Sequence, residues 1–327
     1  MTTPASHPTL FELPPVTLDA APPRPEQVRL AARWPESVRL GTMSWSYPAW
    51  QNLLYGAKYS AKVLADRGLT AYARHPLLRG AEIDRSYYEP LSAEVYRGYA
   101  AQVPAGFRFL VKAHEDCIVH RYPAHARYGR KAGERNPLYL DPGYTADRVI
   151  APLAEGLGAS TFALLFQFPP QELDERPQEF ADRIHRFLAA LPKVPFAYAV
   201  ELRNAERFTT AYAEALVSGG GIHCHNVWSH VPPVLAQAKL LGPATRRPLL
   251  VRWLMRRGDT YDAASARGKP FGKLVLPDPD NLAAVARLVR AAHQHDVPSF
   301  VAIDNKAEGC APETAFRLAA AVLDAPP

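Results

Sequence analysis

With 327 residues, 48% apolar and 21% charged, the chain has an ordinary globular composition and length for one large domain plus a tail. No run of about 18 apolar residues occurs, which excludes a conventional membrane-spanning helix. Three widely spaced cysteines (Cys117, Cys224, Cys310) argue against a disulfide framework and favour a reducing cytoplasm. The net charge of +6 permits a polyanionic partner without requiring one.

Residues 1–35 carry eight prolines and no apolar core flanked by positive charge. They are not expected to act as a secretory signal, and they are expected to form a disordered tail before a domain spanning 36–324. Eight apolar, β-rich runs follow in order: Val38–Met43, Ala81–Asp84, Phe107–Lys112, Phe162–Phe168, Phe196–Leu202, Ile222–Val227, Leu249–Leu254 and Ser299–Asp304. Helical patterns fall between them at Ser92–Val103, Thr145–Leu157, Gln178–Leu191, Ala205–Val217 and Asn281–His293, with a last one at Pro312–Leu323. The clearest is Gln178–Leu191, where Phe180, Ile184, Phe187, Leu188 and Leu191 share one face. Eight alternating units predict a single (β/α)8 TIM-type barrel. No Gly-x-Gly-x-x-Gly or phosphate loop occurs, so no nucleotide cofactor is expected and the cofactor stays undetermined.

In a barrel of this kind, polar groups at the carboxyl ends of strands build the active site. Glu82 and Asp84 share a strand face, and two carboxylates there need a partner or a ligand between them. With Glu201 they form a candidate acid–base cluster; the alternative is a set of salt bridges to Lys112 and Arg203. Lys112 ends the third strand, as an anion-binding or catalytic ammonium or as one member of such a pair. Trp45, Tyr47 and Tyr88 follow the first two strands, either as ligand walls or as a hydrophobic plug. Gln167 and Asn305 suit an orienting hydrogen-bond role, and Asn305 with Glu308-Gly309 also suits a turn.

Two stretches concentrate positive charge. His120–Arg135 holds Arg121, Arg127, Arg130, Lys131 and Arg135 with Tyr122 and Tyr128 interleaved, and Arg246–Lys273 holds eight basic residues. Such loops suit a phosphate backbone with stacked bases, or are simply solvated. His223-Cys224-His225, and His114, Cys117 and His120, match known metal spacings too loosely for a metal site to be assigned.

The blocks Gly41-Thr-Met-Ser-Trp-Ser-Tyr-Pro-Ala-Trp50, Tyr72-Ala73, Glu82-Ile-Asp-Arg-Ser-Tyr-Tyr88, Pro104-x-x-Phe107-x-Phe109-x-x-Lys112 and His120 resemble the YecE-like family (domain of unknown function 72). The likeness resumes at Leu164-Leu-Phe-Gln-Phe-Pro-Pro170, Phe187-Leu188, Leu191-Pro192, Val200-Glu-Leu-Arg203 and Asn305-x-x-Glu308-Gly309-x-Ala311. It spans roughly Arg39 to Leu318 in family order. The resemblance implies a TIM-type barrel but no reaction. Likeness of such barrels to apurinic endonucleases and sugar isomerases is analogy of fold. The chain departs from the family pattern at Asp84 and Asp304, where asparagine is usual, and in its longer Arg121–Arg135 loop. In the Leu250–Met255 block only Arg252 carries over.

The residues together favour an enzyme acting on a phosphorylated or anionic substrate, nucleic acid included. Lys112, Arg203 and Arg252 would bind the anion, and Glu82, Asp84 and Glu201 would supply acid–base groups. His120, Gln167 and Asn305 would contact the ligand. The alternatives are a non-catalytic module binding nucleic acid or protein through its basic rim, and a sugar or sugar-acid isomerase or lyase. No membrane partner is expected.

Overall fold

Apolar runs of this kind become strands when both faces are buried, one inside a barrel and one beneath helices. The computed structural model describes residues 17–171, 175–242 and 247–324. Its strands are β1 (Val38–Thr42), β2 (Leu78–Ile83), β3 (Arg108–Lys112), β4 (Thr161–Gln167), β5 (Ala197–Glu201), β6 (Ile222–Val227), β7 (Leu249–Trp253) and β8 (Ser299–Ile303). They close in chain order into a parallel barrel, with β8 paired to β1. This is the expected TIM-type barrel.

Around it lie α1 (Pro25–Arg33), α2 (Ala61–Arg67), α3 (Leu69–Tyr72), α4 (Ala93–Ala100), α5 (Pro142–Thr145), α6 (Ala151–Gly156), α7 (Pro177–Ala190), α8 (Thr210–Ser218), α9 (Val234–Leu241), α10 (Tyr261–Gly268), α11 (Pro279–Gln294) and α12 (Ala311–Leu323). Ser60, Ser92, Asp141, Thr209, Thr260 and Asp278 cap their helices by accepting a first-turn backbone N–H. The expected Thr145–Leu157 helix is instead α5, a π turn at Ala146–Ile150 and α6. Pro152 explains the break, because it has no N–H for the α-helical ladder.

The expected tail is corrected over residues 17–35. Its prolines lie outside α1 or, as Pro25, in the first turn, where the missing N–H costs nothing. Leu18 and Trp34 are buried, and the Trp34 indole donates to the Val38 carbonyl at 3.1 Å. Arg24 pairs with Glu313 in the first turn of α12, and Arg33 with Asp324 just past its last residue. Order therefore begins at least as early as residue 17, not at 36; residues 1–16 lie outside the described part. Among the described residues, no helix is long and apolar enough to cross a membrane.

Side chains alternate inward and outward along each strand. Met43, Leu110, Ala163, Leu165, Ala199, Cys224, Leu250, Phe300 and Ala302 belong to the barrel-interior cluster. Gly80 makes room for this layer, since a Cβ there would lie 2.6 Å from the Phe300 ring. Towards the carboxyl ends the inward series turns polar, through Glu82, Lys112, Gln167, Glu201 and Arg252. The site is built there.

Candidate active site at the barrel mouth

A cavity of about 560 Å³ opens at the carboxyl ends of the strands. Its floor is Arg252 of β7, which reaches across the barrel. Arg252 Nε and Nη2 donate to the two carboxylate oxygens of Glu82 at 2.9 and 2.8 Å. Its Nη1 donates to Glu201 and, at 3.1 Å, to Gln167 Oε1. Arg252 is 3% exposed, and the carboxylates are 1% and 0% exposed. Fork geometry of this kind is what makes arginine suited to buried carboxylates.

Burial disfavours the charge on Glu201, but the Arg252 and Arg203 guanidiniums outweigh it and hold its carboxyl down to about 2. Burial pushes Glu82 up, against the pull of Arg252 and Lys112. Glu201 accepts from Arg203 Nε at 2.6 Å through its other oxygen. Both oxygens of each glutamate are therefore occupied, and so are all three nitrogens of Arg252. These residues were expected to take up protons and bind the anion; the structure engages them with one another.

Groups above the floor are less committed. Lys112 Nζ donates to Asp84 at 2.6 Å and lies 4.5 Å from the Tyr87 ring centroid. The Asp84 side chain is 43% exposed. Ser86 donates to the Lys112 carbonyl at 2.7 Å and so joins the ends of β2 and β3. Arg203 lies over the Trp228 ring at 4.1 Å. Among the described residues its two terminal nitrogens have no hydrogen-bond partner, although its side chain is only 10% exposed. Trp45, Tyr47 and Tyr88 line the cavity, as expected. Tyr47 packs on Trp50, and burial with the nearby Asp304 charge pushes its phenol up.

Two expected ligand contacts sit elsewhere. His120 lies in the loop after β3 with its ring against Tyr139, and does not line the cavity. Asn305 accepts the Ala311 N–H at the start of α12, the turn role that was its alternative. The cavity is also lined by Asp304, which ends the predicted Ser299–Asp304 run, and by Trp228, Tyr261 and Lys306, which the sequence did not single out. Asp304 and Trp228 directly follow strands, a signal that was available. Lys306 bonds Asp304 and lies over the Tyr261 ring at 4.7 Å, a pairing with no sequence signature.

Neither histidine set converges on an ion. His223 uses one ring nitrogen on the Tyr212 hydroxyl (2.9 Å) and the other on Gln237 (3.1 Å), facing the helices. His114 bonds Tyr144 at 2.8 Å, while Cys117 accepts from Thr145. Among the described residues no three His, Cys, Asp or Glu side chains gather as a ligand set. In the loop after β3, Arg127 pairs with Glu115 and packs on Tyr88 and Tyr128, and Lys131 lies over Tyr122. Of the second basic stretch, Arg246 lies outside the described residues, and Arg267 pairs with Asp259.

The fold and this cavity define a TIM-barrel protein with a polar, ion-paired pocket at the carboxyl mouth. Residues 39–326 match the family described as protein of unknown function DUF72, and the chain belongs to that family. A DUF72 family protein of Enterococcus faecalis shares 20% identity at a TM-score of 0.59, over 87% of this chain and 95% of that one. One from Thermotoga maritima shares 16% at a TM-score of 0.56, over 86% and 97%. No curated protein matches the chain.

Proposed function

We propose that the mouth is the active site of an enzyme whose small substrate carries a phosphate or carboxylate group. The observation that carries this reading is the half-used guanidinium of Arg203. Glu201 and Trp228 fix its plane, Arg203 lines the cavity, and its Nη1 and Nη2 have no protein partner among the described residues. Such an edge matches a carboxylate or phosphate in two parallel hydrogen bonds. Lys112 supplies a second cation with donor capacity beyond its bond to Asp84. Asp84, the more exposed carboxylate, is the candidate general acid–base group, and Trp45, Tyr47 and Tyr88 wall the ligand. Glu82, Glu201 and Arg252 are the frame that holds Arg203.

A polynucleotide substrate has less support, because Arg127 and Lys131 already lie against their own tyrosines. The test is a thermal-shift screen of phosphorylated and carboxylated small molecules beside their neutral counterparts, on wild type and Arg203→Gln. A charged ligand should stabilise the wild type and lose most of that effect in the variant. Responses to neutral counterparts that match the charged ones, or that ignore Arg203, would overturn the reading. Salt-sensitive binding of single-stranded DNA indifferent to Lys112→Ala would favour the non-catalytic module.

A further inference from the structure

The amino-terminal end of the barrel carries a second concentration of charge that the mouth does not use. Arg39 opens the inward series of β1, and Arg108 opens that of β3. Between them on β2 stands Gly80, which pairs with Arg108 and, one step along, with Gly41. Arg79 adjoins it on the outward side of β2. None of the three arginines has a carboxylate partner among the described residues. Arg79 donates to the carbonyls of Pro76 and Ala31 at 3.2 and 3.4 Å, and Arg108 to those of Ala105 and Phe107 at 2.9 Å. Arg39 donates to the Glu36 carbonyl.

Two further observations mark the cluster as unfinished. Arg39 Nε is buried without any hydrogen-bond partner, an arrangement that native proteins seldom leave unexplained. Burial, then the charges of Arg108 and Arg79, lower the Arg39 pKa, with Glu36 the opposing influence. Like charges held together in this way oppose folding unless an anion joins them. Beside the cluster is a groove of about 380 Å³ lined by Arg39, Arg74 and Arg79, by Glu36 as its one acidic residue, and by an apolar floor including Leu78, Pro104 and Phe107; Arg108 belongs to the cluster but does not line the groove.

We infer that Arg39, Arg79 and Arg108 form a second ligand site, opposite the mouth, for a multiply charged phosphate group whose apolar body lies in the adjoining groove. One carboxylate would neutralise only one of the three guanidiniums. A phosphomonoester or pyrophosphate brings the needed charge and enough acceptor oxygens for several N–H donors. The site is independent of the reaction proposed at the mouth.

The test is inorganic pyrophosphate titrated into the full chain by calorimetry, with sodium chloride at matched ionic strength as the control. The variants are Arg108→Gln, Arg79→Gln and, for the mouth, Arg203→Gln. Wild type should bind. Arg108→Gln and Arg79→Gln should weaken the affinity roughly tenfold or more, the loss typical of one charged hydrogen bond. Relief of repulsion should leave their ligand-free Tm at or above that of wild type, whereas a purely structural arginine would lower it. No binding by wild type overturns the proposal. So does unchanged affinity in both cluster variants, including the case in which only Arg203→Gln loses binding and the anion therefore sits in the mouth.

Discussion

Replacing Arg252 by Leu removes the counter-charge from two carboxylates that are 1% and 0% exposed. Breaking a buried ion pair from one side costs about 3–5 kcal/mol; here Glu82 loses its hydrogen-bonded partner, while Glu201 keeps only Arg203. With an unfolding entropy of about 2.1 cal/mol/K per residue over 327 residues, that corresponds to a Tm loss of roughly 4–7 °C. The loss should depend on pH in a definite direction. In the wild type the Arg252 and Arg203 guanidiniums hold Glu201 down to about 2, below its unfolded value near 4.3, so its contribution is present at neutral pH and is lost progressively as pH falls from about 4.3 through about 2. In the variant burial acts on Glu82 unopposed by Arg252 and pushes that carboxyl upward, while Arg203 still opposes burial at Glu201. The folded state then gains protons that the unfolded state lacks, and the penalty shrinks as pH falls from 8 to 5. Scanning calorimetry at both pH values measures this, and Arg252→Leu combined with Glu82→Gln and Glu201→Gln should recover most of the loss. A Tm within 1 °C of wild type, or a loss equal at both pH values, would refute the reasoning.

Two further outcomes follow from burial. Burial, reinforced by Arg24, holds His75 down to about 4, against an ordinary value near 6.5. The unfolded chain takes up that proton first, so stability falls by about 1.4 kcal/mol per pH unit per such group as pH drops from 6.5 towards 4. His75→Gln should flatten the decline of Tm with acid by one proton, and parallel curves would contradict this. A chain shortened to begin at Glu36 loses α1, Leu18 and Trp34 from the core. It should melt lower and bind a hydrophobic dye, and an unchanged melting curve would return the domain boundary to residue 36.

All eight strands were legible because each is an apolar run buried on both faces, a pattern that needs no knowledge of its neighbours. β2 was read short: Leu78-Arg79-Gly80 carries an arginine that only its position at the barrel edge makes tolerable. α1 was hidden by the prolines around it, although its Gln27 side chain accepts the Arg24 backbone N–H at 2.8 Å. The location of the site was legible from polar strand ends, but the roles within it were not. Glu82 and Arg252 are 170 residues apart and meet only through the barrel's closure. The sequence therefore could not separate spent charges from available ones.

The Arg252 bridge joins β2, β5 and β7 through one guanidinium, and this constrains how the family can diverge. A relative cannot exchange that arginine for an apolar residue in a single step without stranding Glu82 and leaving Glu201 to Arg203 alone. The change becomes tolerable only after, or together with, neutral replacements at both glutamates. Substitutions at 82, 201 and 252 should therefore travel as a set along lineages, whereas rim positions outside this bridge can vary one at a time. The floor would then change rarely and in jumps, and the walls gradually, so that new specificities arise on an old ionic base.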